Sequence, residues 1–257
     1  MPILDTVVNQ FRCSMGTDGH ILSDPISLNC GGNACRNCVV ETIRCLNCNG
    51  SHDRTSVLNS PNNKAILSIL NSTDLFFNQS FLRVDEILSL IRWTNALEFV
   101  LLYKATRDSF KASAFHQMCD GWTNTITLIK TNSNFVFGGF STGKWTNNST
   151  WSSDPSAFLF SLRRNGISFS DRFMIQNSEY AICGYSAYGP IFGGGASGHD
   201  ILIVDNSDKN KGSFTHFGSC FLTPAGKTGT NDTTKSFFAG TYADWLTTEI
   251  EVYRIKY

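Results

Sequence analysis

The chain has 257 residues, with 21 Lys and Arg balancing 21 Asp and Glu, and it carries 20 Phe and 21 Gly. That length holds one large domain, or a main domain with a small appendage, and the zero formal net charge supplies no basic face for nucleic acid or an anionic membrane. Charged residues are 16% against the usual ~25%, and so phenylalanine-rich and glycine-punctuated a composition favours a β-rich core with tight turns.

From the N-terminus, residues 1–12 lack a basic stretch followed by an apolar run, so no secretory signal and a cytoplasmic location are expected. Six of the nine cysteines then crowd between Cys13 and Cys48, while Cys119, Cys183 and Cys220 stand alone. An odd count without a signal favours a thiolate metal cluster over a disulfide framework. The pairs Cys35/Cys38 and Cys45/Cys48 each suit two thiolates presented from a tight turn to one tetrahedral ion. With Cys13 and Cys30, the spacing resembles a RING finger.

The RING resemblance implies two cross-braced zinc sites, one on Cys13, Cys35 and Cys38, the other on Cys30, Cys45 and Cys48. Gly16 and Gly32 occupy positions where the pattern has a cysteine and a histidine, so each site lacks a ligand that His20 or His52 would have to replace. Zero to two zinc ions are therefore expected. A working RING would also bind a ubiquitin-conjugating enzyme. Here Leu46 stands where that groove commonly has a proline, although Ile21, Leu22, Ile26 and Ile43 supply apolar surface.

Polar residues 53–63, with Ser60-Pro61-Asn62-Asn63 marking a break, read as a linker. Short helices are expected at Lys64–Leu70 and Val84–Trp93, the second burying Ile87, Leu88, Ile91 and Leu90. Ile87–Tyr103 is the longest apolar window, but Arg92, Asn95 and Glu98 break it short of the ~18 residues that cross a bilayer. Leu97–Ala105 has the apolar density of a buried strand. Phe110, Ala114 and Phe115 keep a helical spacing up to Asp120-Gly121, after which Thr125–Ile129 alternates and Phe135-Val136-Phe137 forms a second strand that Gly138-Gly139 is expected to end.

Further strands are expected at Ala157–Leu162, Phe173–Gln176, Tyr180–Gly184, Ile201–Asp205, Phe214–Phe217 and Glu249–Ile255. Ser141–Ser156 and Thr223–Lys235 read as loops. Many short strands and few helices argue for a β-sandwich with helices outside it. The sequons at Asn71, Asn78, Asn147, Asn148 and Asn231 arise by chance in a chain so rich in Asn, Ser and Thr.

Four stretches occur in the order of the TLDc family: LLYKATRDSFKASAFHQMCDG from Leu101, ITLIKTNSNFVFGGF from Ile126, SAYGPIFGGGASGHDILI from Ser186 and FFAGTYADWLTTEIEVYRI from Phe237. The chain thus resembles the TLDc domain of oxidation-resistance proteins. The resemblance implies a mainly β, two-sheet antiparallel β-sandwich with flanking helices over 81–257, behind a RING-like finger at 1–52 and a linker at 53–80. It also implies oxidative-stress protection and V-type ATPase subunits as partners.

His116, Asp120, Glu179, His199 and Asp200 are the acid-base candidates near these motifs. His116 and Asp120 suit a capping or surface role, and adjacent strand residues such as His199-Asp200 point to opposite faces. Gly193-Gly194-Gly195 lacks the lysine and hydroxyl of a phosphate loop and reads as a close backbone crossing. No catalytic residue is assigned. The expectation is a non-enzymatic interaction protein, with a RING-type ubiquitin ligase as the alternative.

Overall fold

The computed structural model describes residues 25–28, 33–35, 45, 48, 80–96, 98–194 and 198–257. The expected helix at Lys64–Leu70 lies outside the described residues, as do Cys13, His20, Cys30, Cys38 and His52. The chain divides into two compact units, Met1–Asn95 and Ala96–Tyr257.

In the first unit β1 (Pro25–Ser27) pairs antiparallel with β2 (Asn33–Cys35), setting Pro25 opposite Cys35. Helix α1 (Val84–Thr94) starts where the buried Glu86 carboxylate accepts the Arg83 N–H at 2.8 Å. It ends at Asn95, left-handed at φ 55°, whose N–H donates to Ile91 O at 2.9 Å. Ile87, Leu88 and Leu90 are buried, as their spacing predicts, and Ile91 is half-buried.

The second unit is the two-sheet antiparallel sandwich. Its larger sheet runs β3 (Glu98–Lys104), β12 (Thr247–Lys256), β4 (Thr125–Thr131), β5 (Val136–Ser141), β7 (Phe158–Arg164), β8 (Ile167–Met174). The smaller runs β11 (Ile201–Val204), β10 (Tyr188–Phe192), β9 (Ile182–Tyr185), β6 (Asn148–Ser152). Ile129, Phe137, Leu159 and Val252 of the first sheet share one core with Ile182, Phe192, Ile201 and Ile203 of the second. The alternate residues Ile126, Leu128, Phe158 and Phe160 are buried as well, so the central strands read as nearly continuous apolar runs.

Helices α2 (Ala105–Asp108) and α3 (Ala112–Cys119) follow β3 directly. The helical spacing beginning at Phe110 is therefore realised two residues later, with Ala112, Phe115, His116 and Cys119 buried. The last strand, β12, inserts between β3 and β4 and carries two buried carboxylates. Lys104 Nζ reaches Glu251 at 2.8 Å, the Tyr253 hydroxyl donates to Glu251 at 3.0 Å, and the Thr106 N–H donates to Glu249 at 3.1 Å. The first and last thirds of the domain are tied together by these charges as well as by the ladder.

Five expectations for the strands change. Gly138-Gly139 does not end β5 but lies inside it. A Cβ on Gly138 would stand 1.8 Å from Thr127 O, and one on Gly139 2.5 Å from the Phe192 ring, so the glycines permit close approach of a neighbouring strand and of the opposite sheet. Strand β8 begins at Ile167, well before Phe173, and the short alternation Ile167-Ser168-Phe169-Ser170 that opens it is largely exposed rather than buried. Strand β6 lies in the expected loop 141–156 as a polar strand at the sheet edge, and β10 fills the stretch around Pro190. Phe214–Phe217 makes only an isolated bridge, Phe214 to Leu202.

Candidate functional site

Of the eight metal-ligand candidates, Cys35 closes β2, Cys45 is buried and Cys48 is exposed. Among the described residues no three His, Cys, Asp or Glu side chains come together to hold an ion.

His116 and Asp120 lie one turn apart at the end of α3. His116 Nδ1 stands 2.8 Å from Asp120 Oδ1, and Nε2 stands 3.2 Å and 3.1 Å from the carbonyl oxygens of Tyr185 and Tyr188. Both ring nitrogens are thereby engaged in holding the helix to the turn between β9 and β10. At 6% exposure, neither is left to face a substrate. Glu179 is exposed on the 3-10 turn Ser178–Tyr180, remote in sequence from any second acid-base candidate.

His199 and Asp200 part company, as expected for neighbours entering a strand. The Asp200 carboxylate is fully buried and accepts the backbone N–H groups of Gly218 at 2.7 Å, Ser219 at 3.0 Å and Cys220 at 2.8 Å. Burial pushes this carboxyl up to about 7, against the opposing pull of the Cys220, Gly218, Ser219 and Phe221 amides. The glycine run crosses beside it. A Cβ on Gly193 would stand 2.0 Å from Asp200 Oδ2, and one on Gly194 would stand 2.0 Å from the Trp151 ring. Gly194 N–H donates to Cys220 Sγ at 3.2 Å, and the Cys220 thiol donates to Gly194 O at 2.6 Å. The crossing is thus sealed from both sides.

Over this crossing lies a chain of rings. Tyr180 meets Trp151 edge-on at 5.4 Å, and Trp151 stacks with His199 at 5.7 Å. Phe214 follows at 6.2 Å from His199, then His216 at 5.3 Å from Phe214, and Tyr242 stacks on His216 at 4.9 Å. Lys235 Nζ sits 5.5 Å over Tyr242. His199 Nδ1 lies 3.0 Å from Gly193 O; burial, then the neighbouring His216, hold this imidazole below its ordinary value. Trp151, Phe214 and His216 are half-buried and Tyr242 is 42% exposed, so the ladder runs from a packed end to an open one. Behind it Cys183, Ile191, Leu202 and Val204 form a small apolar cluster against which Trp151 and Phe214 pack.

The TLDc domain model matches residues 70–256. The chain belongs to the TLDc domain family. No relative among curated proteins matches it. Members of this family are linked to oxidative stress, and the three isolated cysteines of this TLDc domain bear on how. Cys119, Cys183 and Cys220 are all buried, and burial raises each thiol above its ordinary value. Thiols held protonated and away from solvent are poor peroxide nucleophiles.

His116, Asp120 and Asp200 are therefore engaged in the architecture of this TLDc domain. The ladder takes in His199 from among the candidates, and sequence reasoning missed its other rings. Trp151 falls in an apparent loop, and Tyr242 sits within a family motif without any periodic signal. Only folding brings β6, the 199–216 segment and the 240–245 turn side by side.

Proposed function

We propose that this protein is a non-enzymatic interaction protein whose TLDc domain acts in oxidative-stress protection by binding a subunit of the V-type ATPase. The observation that carries the reading is the half-exposed aromatic ladder Trp151–His199–Phe214–His216–Tyr242, a patch that includes residue types that dominate binding energy, packed along the edge of the smaller sheet and the loops beside it. Interaction surfaces rely on such anchored rings, because little side-chain entropy remains to be lost on association.

The cysteine-rich segment serves in this reading as a docking module held by zinc on Cys13, Cys30, Cys35, Cys38, Cys45 and Cys48, with His20 and His52 completing the sets. Zinc would supply cross-links there and no chemistry. Elemental analysis of purified protein gives the stoichiometry, and zero zinc would remove the finger from the proposal.

The test of the main reading is co-precipitation of the full chain with purified ATPase subunits. Retention is expected, and Tyr242→Ala should weaken it by about tenfold or more. Absence of binding by the unmodified chain, together with no effect on pump assembly, would overturn it.

A further inference from the structure

Beside helix α4 (Asp232–Lys235) the domain carries an open groove of about 1010 Å³. It is lined by Arg164, Thr223 to Ala225, Lys227 to Thr234, and Phe237. Its walls are fixed by main-chain bonds. Gly226 N–H donates to Thr223 O at 2.8 Å, Thr223 N–H donates to Lys227 O at 3.0 Å, and Gly229 N–H donates to Gly218 O at 2.8 Å. Asn231 and Thr234 exchange bonds in a capping box of 3.0 Å and 2.9 Å, which engages the Asn231 amide oxygen and the Thr234 hydroxyl.

Some cations elsewhere in the domain are matched by carboxylates. Lys104, Arg107 and Lys256 each hold a carboxylate within 2.9 Å. Arg164 and Lys227 hold none, nor does either side chain make a hydrogen bond among the described residues. Arg164 is instead laid over two rings, 4.4 Å from the Phe237 centroid and 5.3 Å from that of Phe169. Such stacking restrains a guanidinium through its face and leaves its N–H groups to donate. Asp232 is the groove's single carboxylate, so two cations against one anion leave it net positive. The hydroxyls of Thr228, Thr230 and Thr233 likewise find no partner among the described residues.

A restrained guanidinium, a second cation without a carboxylate, hydroxyl donors and apolar lining at Phe237, Pro224 and Ala225 together make a receptor for a planar or tetrahedral oxyanion attached to something larger. We propose that the groove binds a phosphate monoester borne on a polypeptide, with Arg164 gripping two phosphate oxygens and Lys227 contributing charge. A free phosphate ion would leave most of the volume and the apolar lining unused. A carboxylate has one oxygen fewer to share between the two cations. The site is independent of the ATPase reading, since none of the ladder residues lines it.

The test uses the full chain and three probes: the peptide Ala-Ala-phosphothreonine-Ala-Ala, its unphosphorylated form and inorganic phosphate, each titrated while amide resonances are followed by NMR. The phosphopeptide should move the amides of Gly226, Gly229 and Thr230 saturably, and the unphosphorylated peptide should not. Lys227→Ala is exposed and should fold normally, while Arg164→Lys keeps the charge over the rings but loses the two-pronged grip. Each should weaken the phosphopeptide by about tenfold. Absence of groove shifts, or unchanged affinity in both variants, would overturn the site. Inorganic phosphate binding as tightly as the phosphopeptide would overturn the polypeptide ligand.

Discussion

Two buried aspartates, Asp154 and Asp200, are held by comparable sets of donors and yet differ in the direction their carboxyls are driven. Asp154 accepts the Ser141 hydroxyl at 2.8 Å, Thr142 N–H at 2.6 Å, Ser156 N–H at 2.9 Å and the Ser156 hydroxyl at 2.6 Å. Burial alone would raise it, but these bonds outweigh burial and hold it below its ordinary value. Asp200 takes only main-chain amides, in a pocket walled by Phe217, Cys220 and Phe221, all at 0% exposure. There burial wins. Counting hydrogen bonds does not give the sign; what surrounds them does, because Asp154 sits beside the exposed Ser156 and half-buried Thr142, where water lowers the cost of charge.

Removing Asp200 should have the largest effect. Asp200→Ala strands at least three amides in an apolar enclosure where water cannot replace the carboxylate, so a loss of about 3 kcal/mol or more is expected in urea unfolding. Asp154→Ala should cost less, about 2 kcal/mol, because its hydroxyl donors can turn to solvent. If the two losses were equal, the difference in enclosure would not be the cause of the contrast.

The pH dependences of stability should run in opposite directions. Asp154 has a lowered folded value, so its contribution is present above the unfolded carboxyl value and disappears as pH falls through the folded one. Asp200 has a folded value of about 7 against an ordinary 3.8, so the folded state holds the extra proton between them and stability falls as pH rises across that window. The gap between wild type and Asp154→Asn should therefore shrink on acidification below the ordinary carboxyl range. The gap between wild type and Asp200→Asn should shrink on raising pH from 4 to 7, by a few kcal/mol at most. Urea titrations at pH 4, 5.5 and 7 measure the second, and a rising gap would show that the amide cage dominates burial.

This pair also marks where the sequence was readable. Alternation at Thr125–Ile129, the apolar run at Phe158–Leu162 and the family motifs give the sandwich and most strand positions, because those signals are local and repeat along the chain. Strand β6 and the start of β8 stay hidden, the first being polar and both being largely exposed at sheet edges. Asp200 stands out as an acid beside a histidine, but its amide cage comes from residues 18 to 20 positions later, so only the closed chain reveals it as architecture. Asp154 carries no local signal in a stretch of serines and threonines. The ladder is illegible for the same reason, since its rings arrive from separate segments.

The smallest effect separates paired hydroxyls from unpaired ones. Ser141 donates to Asp154 and accepts the Gly143 N–H at 3.0 Å, so Ser141→Ala should cost about 1 to 2 kcal/mol. Thr127, on the neighbouring strand β4, is equally buried, but its hydroxyl finds no partner among the described residues. Its side of the strand is that of Ile129, which faces the core shared by both sheets. Thr127→Val keeps the branched shape and removes only the unsatisfied group, so thermal unfolding should show no loss and a gain of up to about 1 kcal/mol. A clear loss would mean that the Thr127 hydroxyl is satisfied inside the core, and that the burial cost ascribed to Asp200 is softened there in the same way.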